Sequence, residues 1–210
     1  MVIDSPQAPT AERSRRSVET RAKLVSAARA VFEARGVAEA RVAQISELAG
    51  LSYGSFYHYF DSKDAVFREV AASVAEALTA GMATIQDRES ASTPRARLSA
   101  GIRVHFEAFR REARMLSVID QAARADPEIR RFWAELLEPS GRDVVEGIAQ
   151  LQRHGLVDAD LDVEIAAAAL GAMTWRFAEQ WFVYGEPDLD FDTGVQQFTR
   201  LYFNALRLSG

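Results

Sequence analysis

Apolar residues recur every three or four positions along most of the chain, and this spacing is typical of amphipathic α-helices. In the first such segment, residues 18 to 35, the apolar stripe consists of Leu24, Ala28, Val31 and Phe32. Gly36 follows the stripe, and glycine is common just after the last residue of a helix. Similar segments continue as far as residue 208, so the pattern predicts an all-α protein.

Two short helices are predicted next, at residues 42 to 49 and 53 to 59, with Gly50 in the tight turn between them. Ser52 precedes the second of these helices, where its hydroxyl can accept a hydrogen bond from a backbone N–H of the first turn. The helical spacing turns Phe56 and Phe60 inward. The side chains left facing outward are Tyr53, Ser55, Tyr57 and His58.

These outward side chains are all hydrogen-bonding types, which suit the phosphates and base edges of DNA. Gly54 carries no side chain near the leading end of the helix, where one would hold the helix away from a groove wall. The alternative is that the aromatic run only fills the core of a small helical domain. Four aromatic residues at positions 56, 57, 59 and 60 cannot all lie on one face at 100° per residue, which favours a DNA-reading helix.

This part of the chain resembles the tetracycline-repressor (TetR) family of bacterial transcription regulators, and the resemblance covers roughly the first third of the chain in detail. The residues that carry it are Ile45, Ala49, Gly50, Leu51, Ser52, those at 54 to 60, Ser62 and Lys63. In that family the two short helices form a helix-turn-helix motif. The DNA contacts that the resemblance implies are Arg41, Gln44, Ser52, Tyr53, Ser55, Tyr57, His58 and, for a phosphate, Lys63.

Two positions depart from the family's pattern. Position 40, commonly a threonine that caps helix two, is Ala40, which would weaken a cap worth about 1 kcal/mol. Position 53, often a lysine, is Tyr53. An aromatic side chain in place of a charge means that the preferred DNA sequence cannot be carried over from relatives.

The remainder of the chain contains further predicted helices. Helix four begins near residue 62 and keeps an apolar face to residue 78, so it would link the DNA reader to the following domain. The pairs Thr93-Pro94 and Asp126-Pro127 are helix-start signals, because proline suits the first turn. A shorter helix is predicted at residues 115 to 125, separate from the one that begins at residue 94. Pro139 should kink or split the helix that starts after residue 126.

The last two predicted helices, at residues 163 to 184 and 193 to 208, are apolar on two faces each. A helix that is apolar on two sides needs two partners. One partner is the domain core, and the other is expected to be the same helix pair of a second subunit, packed as a four-helix bundle. The TetR family dimerises through its last two long helices, so the resemblance implies the same homodimer. The alternative is a single thick core within one subunit.

Charge is unevenly distributed along the 210 residues. The formal net charge is −5, which alone speaks against a general nucleic-acid binder. Six basic residues lie between positions 13 and 29 against one acidic residue, whereas acidic residues concentrate at 158 to 164 and 186 to 192. This asymmetry is expected when one end of the chain meets phosphate and the other does not.

Three regions are predicted along the chain. They are a disordered tail at 1–16, a helix-turn-helix DNA-binding domain at 17–77 with its motif at about 40–59, and a helical effector-binding and dimerisation domain at 78–210.

Several classes of function are disfavoured by what the sequence lacks. There is no cysteine, and the three histidines show no ligand spacing, so we expect no metal site and no cofactor. A phosphate-binding glycine loop and a nucleophile elbow are also missing, so the protein is not expected to be an enzyme. No apolar stretch suits a membrane span or a signal peptide, which predicts a cytoplasmic protein without a membrane partner.

The second domain is rich in aromatic and thioether side chains, which suit an apolar or planar ligand. The candidate effector-binding residues are His105, Phe106, Phe109, Trp133, Met173, Trp175, Arg176 and Trp181. His105 and Arg176 are polar residues on otherwise apolar faces and could orient a polar group of the ligand. Taken singly, most of these residues are better explained as plain core, His105 as a satisfied core histidine and Arg176 as an interface arginine.

The predicted function is a ligand-responsive transcriptional regulator. We expect a repressor that binds a pseudo-palindromic double-stranded DNA operator as a homodimer and is released by a small apolar or aromatic effector. The alternative is a helical ligand-binding or interaction module that no longer binds DNA, which Ala40 and the acidic net charge leave open.

Overall fold

A computed structural model describes the chain over residues 11–86 and 93–208. Within these ranges the chain contains helices and no strand, which confirms the all-α prediction. The eight helices of the described ranges are α1 (Ala11–Glu39), α2 (Val42–Leu48), α3 (Tyr53–Phe56), α4 (Lys63–Gln86), α5 (Pro94–Ala125), α6 (Pro127–Arg153), α7 (Val163–Phe182) and α8 (Phe191–Leu206).

The chain divides into two compact units, Met1–Val70 and Ala71–Gly210. The division falls inside α4, earlier than the boundary at residue 77 that the sequence predicts. At the other end of the first unit, α1 begins at Ala11, so residues 11–16 are helical and do not belong to a disordered tail. The first ten residues of that predicted tail lie outside the described residues.

The first unit consists of α1 to α3 and the beginning of α4. Phe32 of α1 packs edge-on against Phe67 of α4, with 5.5 Å between ring centroids. The other large buried side chains include Leu24, Ile45 and Phe56, one from each of the first three helices. The α1 backbone leaves helical geometry at Gly36, where φ is 73°, as the glycine signal predicts. α3 is shorter than predicted, because residues 57–59 form a turn.

In the second unit, α5 packs against α6, α7 and α8, and α6 packs against α7. α5 is one continuous helix, so the prediction of a separate helix at residues 115–125 is wrong. Residues 110–114, which connect the two predicted helices, are arginine, glutamate and alanine, and all three favour helix. α6 likewise continues past Pro139 without a split. Both Pro139 and Glu135, whose carbonyl loses its helical partner, are exposed, so water can solvate that carbonyl.

Side-chain caps begin the helices of the second unit where the sequence places start signals. Thr93 Oγ1 accepts a hydrogen bond from the Ala96 N–H at 3.2 Å, and Asp126 Oδ1 accepts one from the Glu128 N–H at 2.7 Å. Asp162 and Asp190 cap α7 and α8 in the same way. Because these caps are short-range, the sequence alone locates helix starts well in this unit.

A cluster of aromatic rings forms the core between α5, α7 and α8. Phe106 lies 5.0 Å from Phe198 and 5.7 Å from Trp181, measured between ring centroids. Phe177 stacks on Phe198 at 5.0 Å. Trp181 also packs directly over Gly194, where a Cβ atom would overlap its indole ring. The large aromatic side chains thus fill the interior of this unit.

Candidate DNA-binding surface and effector cavity

The turn between α2 and α3 has the geometry that the motif requires. The backbone φ of Gly50 is 69°, a conformation that residues other than glycine rarely adopt. Ser52 then caps α3, since its Oγ accepts a hydrogen bond from the Ser55 N–H at 3.1 Å. Phe56, on the opposite side of this short helix, is fully buried. The chain therefore forms the helix-turn-helix that the sequence predicts.

Two tyrosines and a histidine of the candidate DNA contacts are exposed around α3. Tyr53 and Tyr57 are 57% and 45% exposed, and His58 is exposed beside them. The two phenol oxygens lie 3.0 Å apart, and the rings meet edge to face at 5.4 Å. The hydrogen bond with Tyr53 is the main cause that raises the pKa of Tyr57 above its usual range. These two phenols form a hydrogen-bonded pair at the surface.

Four other candidate contacts take part in capping. The hydroxyls of Ser52 and Ser55 lie 2.7 Å apart, so each serine is bonded within the turn. Gln44 Oε1 accepts a hydrogen bond from the Arg41 N–H at 3.1 Å, which makes Arg41 the N-cap residue of α2. The predicted weak cap at Ala40 is therefore wrong, because Ala40 is buried one residue before the cap. The Arg41 side chain remains exposed.

Lys63 bonds inside the unit. Its Nζ donates to the carbonyl oxygens of Val37 at 2.6 Å, Ala38 at 3.2 Å and Ala40 at 3.0 Å. An ammonium group has three N–H donors, and these three carbonyls occupy all of them. This geometry argues against the phosphate contact that the resemblance implies and gives Lys63 a structural part, the fixing of the connection between α1 and α2.

Part of the basic charge of α1 is also neutralised within the unit. Arg15 pairs with Glu19 at 3.2 Å, and Arg29 pairs with Glu33 at 2.9 Å. Arg21 pairs with Glu69 and lies over the Phe60 ring at 4.5 Å. Arg16 and Lys23 are exposed on the same helix. Only some of the six basic residues that the sequence groups together are thus available to phosphate.

The second unit contains a cavity of about 850 Å³. Helices α4 to α8 all contribute to its wall, which is mainly aliphatic. The apolar part includes Leu78, Ile102, Val144, Ile148, Leu151, Ala167 and Leu206, with glycines at 81, 101, 141, 147 and 171. The polar part includes Thr79, Arg97, His105, Asp143, His154, Glu164, Thr174 and Tyr202. A volume of this size is typical of sites for small organic ligands.

The structure brings two of the eight candidate effector residues to this cavity, His105 and Trp175. Trp133 contacts Trp175 at 6.5 Å without lining the cavity. Phe106, Phe109 and Trp181 are buried in the aromatic core, so their prediction as ligand contacts finds no support at this cavity. Met173 and Arg176 instead line a separate open concavity of about 650 Å³, and Arg176 pairs there with Glu179 at 2.5 Å.

His105 is the most unusual polar group of the cavity wall. Its Nδ1 lies 2.9 Å from the carbonyl oxygen of Leu78 on α4. Burial lowers the pKa of His105, only partly opposed by this hydrogen bond, so the ring is neutral at pH 7. The Nε2 atom is buried and has no hydrogen-bond partner among the described residues.

A second polar group of the wall went unnoticed in the sequence. The Tyr202 hydroxyl lies 2.6 Å from Thr174 Oγ1, and both oxygens contact the Leu170 carbonyl, at 3.2 Å and 2.7 Å. Burial raises the pKa of Tyr202. Tyr202 lies at helical spacing from the apolar residues Val195 and Phe198, and only its phenol oxygen distinguishes it from them in the sequence.

An apolar strip on α7 and α8 is exposed. Ile165 and Leu201 are 69% and 54% exposed, and Ala168, Ala172 and Ala205 are exposed on the same two helices. Ile165, Ala168 and Ala172 recur at helical spacing and form one of the two apolar faces that the sequence predicts for α7. In contrast, Leu170 and Phe198 of the other face are buried within the unit.

Residues 11–86 and 93–208 contain no group of three or more histidine, aspartate or glutamate side chains that could hold a metal ion. No helix in the described part of the chain is long and apolar enough to cross a membrane.

Comparison with known proteins points to one family. The family model of bacterial regulatory proteins, tetR family, matches residues 24–70. The repressor KstR2 of Mycolicibacterium smegmatis is 28% identical over 98% of this chain and 97% of its own. The regulator EthR of the same species is 22% identical over 79% of this chain and 76% of its own.

Solved structures share the fold. FadR from Bacillus subtilis, determined with stearoyl-CoA, superimposes with a TM-score of 0.73 at 19% identity, over 88% of this chain and 98% of its own. The ketosteroid regulator KstR2 of Mycobacterium tuberculosis superimposes with a TM-score of 0.64 at 24% identity, over 90% of this chain and 95% of its own. At these identities the likeness is one of fold.

Proposed function

Since the chain belongs to the tetR family of bacterial regulatory proteins and is a DNA-binding transcriptional regulator, we propose that it is a homodimeric repressor released from its operator by an apolar effector. It acts in the cytoplasm, where the DNA is, and by binding without catalysis. Double-stranded DNA, the effector and a second copy of the chain are its partners.

The observation that carries the proposal is the exposure of Tyr53, Tyr57 and His58 around a fixed α3. A short helix that is held by its own cap and by buried Phe56 can present side chains to a major groove with little loss of freedom on binding. Phenol and imidazole groups can bond to both phosphates and base edges. Arg41 adds an exposed positive charge at the start of α2.

Dimerisation is supported by the exposed strip of α7 and α8. Ile165 and Leu201 would each lose most of their exposed apolar surface in a two-fold helical bundle. In such a dimer the two recognition helices are separated by one turn of DNA, roughly 34 Å, so the operator is a pseudo-palindrome.

The effector site is the cavity of the second unit. KstR2 is named as a ketosteroid regulator and FadR was solved with stearoyl-CoA, so the two names include a large apolar group each, a steroid frame and a long acyl chain. The mainly aliphatic wall of the 850 Å³ cavity suits a ligand of the same character. Because α4 continues from the first unit into the second, a ligand that changes α4 can change the state of the DNA reader.

Fluorescence anisotropy with fragments of the upstream DNA of the gene tests this function. The native protein should bind one fragment, and Tyr57→Ala should weaken that binding at least tenfold without changing the thermal melt. Tyr184→Ala removes a similarly exposed tyrosine of the second unit and serves as the matched control, with affinity unchanged. If no fragment binds, the chain is the ligand-binding module without DNA affinity.

A further inference from the structure

The hydrogen bond between His105 and α4 fixes which nitrogen of the ring carries the proton. The Leu78 carbonyl can only accept, so Nδ1 must be the donor in the 2.9 Å contact. A neutral imidazole has one N–H, which leaves Nε2 as an acceptor with a free lone pair. His105 therefore offers an acceptor, and no donor, to anything that binds beside it.

This acceptor is unsatisfied. Nε2 is buried and has no partner among the described residues, whereas nearly all buried polar atoms in proteins are hydrogen-bonded. The ring also lines the cavity, where Ile102, Leu78 and Gly101 are its neighbours in the wall. A group that enters the cavity and donates a hydrogen bond to Nε2 would replace the water lost on burial.

The remaining wall restricts what that group can be. Ketones, ethers, esters and carboxylates have only acceptors, and their lone pairs would face the lone pair of Nε2. An ammonium group that donates to Nε2 would have to lose its water beside Leu78, Gly101 and Ile102, which carry no charge to pair with it, and this is costly. A neutral hydroxyl on an apolar frame satisfies both conditions.

We propose that the cavity ligand is an apolar molecule with a hydroxyl group that donates a hydrogen bond to Nε2 of His105. The inference rests on the proposed effector cavity and names the chemical class of its ligand. It also makes His105 the residue that distinguishes an alcohol from the matching ether or ketone.

The same ring gives the hydroxyl a route to α4. When the ligand donates to Nε2, the imidazole is polarised, and its Nδ1–H becomes a stronger donor to the Leu78 carbonyl. α4 and α5 also approach closely at Gly81 and Gly101, where a Cβ atom on either glycine would overlap the opposite helix. A ligand that tightens the His105 contact therefore acts on helices that are already in close contact.

Binding of 1-decanol and of decyl methyl ether to the DNA-free protein tests the proposal. The ether has the same apolar chain and oxygen but no O–H, and Trp175 in the cavity wall reports binding by its fluorescence. The native protein should bind the alcohol about tenfold more tightly, the effect of one hydrogen bond to a buried acceptor. In His105→Phe the two compounds should bind equally.

Two controls keep the result interpretable. His105→Gln retains an amide N–H for Leu78 and an amide oxygen for the ligand, so it should keep the preference for the alcohol even if the phenylalanine variant folds poorly. Thr199→Val removes a buried hydroxyl of α8 that does not line the cavity and should leave the preference unchanged. Equal binding of alcohol and ether by the native protein, failure of both to bind, or a preference that survives in folded His105→Phe overturns the proposal.

Release of DNA is measured separately and bears on the proposed function alone. If the native protein prefers the alcohol to the ether, His105→Phe does not, and the alcohol also weakens DNA binding, both proposals are supported. If the alcohol shows this His105-dependent preference and leaves DNA affinity unchanged, the ligand class stands and the effector role fails.

Discussion

The two units use their aromatic residues in opposite ways. Around α3, Tyr53 and Tyr57 are exposed, with their phenol oxygens at the surface. In the second unit, Phe106 and Trp181 are buried against one another and fill the core. In a small helical unit, exposed aromatic residues with polar ends mark a binding surface, whereas clustered large aromatic residues mark space that is already filled.

The cavity lies where large side chains are missing. Gly141, Gly147 and Gly171 line it, and a Cβ atom added at any of them would meet nothing within 4 Å. Trp181, in contrast, packs so closely on Gly194 that no side chain fits there. Large aromatic residues in the sequence therefore mark the filled core, whereas the glycines that leave the cavity open give no such signal.

The largest expected effect comes from a charge on the buried face of α7. Leu170 is 5% exposed and packs in a cluster with Ile148, Val157 and Leu206, so Leu170→Glu should lower the free energy of unfolding by about 4 kcal/mol or more. Ile165→Glu places the same charge on the exposed strip of the same helix. It should keep the helical content in circular dichroism and sediment as a monomer. An Ile165→Glu protein that remains dimeric would exclude this strip as the interface.

The next effect concerns Lys63. Lys63→Met removes three hydrogen bonds to the α1–α2 connection and should lower the free energy of unfolding of the first unit by about 2 kcal/mol. Lys23→Met, on the exposed side of α1, is the control and should leave the urea midpoint unchanged. The phosphate interpretation would be restored by two results together. Lys63→Met would have to be as stable as the native protein, and the salt dependence of its DNA affinity would have to fall by about one phosphate contact.

These first two predictions show which parts of the molecule could be predicted from the sequence. The caps at Ser52, Thr93 and Asp126 depend on residues two or three positions away, so local pattern was sufficient. Lys63 bonds to carbonyls more than twenty positions earlier, and His105 bonds to Leu78 across two helices. Such pairs form only when the chain has folded, so a local sequence pattern cannot predict them.

Filling the cavity should have a smaller effect on stability and a clear effect on binding. Gly147→Leu adds a side chain into open space in the interior of α6, so helix stability should rise by about 0.8 kcal/mol while 1-decanol affinity falls at least tenfold. Ala134→Leu adds apolar volume on an exposed position of α6 away from the cavity and should leave ligand affinity unchanged. Isothermal titration calorimetry measures the 1-decanol affinity of the two variants, and thermal unfolding measures their stability. Undiminished binding by Gly147→Leu would place the ligand elsewhere.

The smallest expected effect concerns the tyrosine pair. Tyr53→Phe removes the hydrogen bond that is the main cause of the raised pKa of Tyr57, so that pKa should fall towards its usual value. Because a raised pKa favours the neutral phenol, Tyr57 in the variant should ionise at lower pH than in the native protein. Ultraviolet difference titration against Tyr57→Phe detects the change. An unchanged titration of Tyr57 would mean that the two hydroxyls do not bond in solution.

Footprinting of the upstream DNA tests the central claim, that exposed residues around α3 read DNA in a dimer held by α7 and α8. The native protein should protect two half-sites whose centres are one helical turn apart. Tyr57→Ala and Leu201→Glu should both abolish the protection. Tyr57→Ala should remain a dimer, whereas Leu201→Glu should lose protection because it no longer dimerises. Protection that is unaffected by either change would contradict the account.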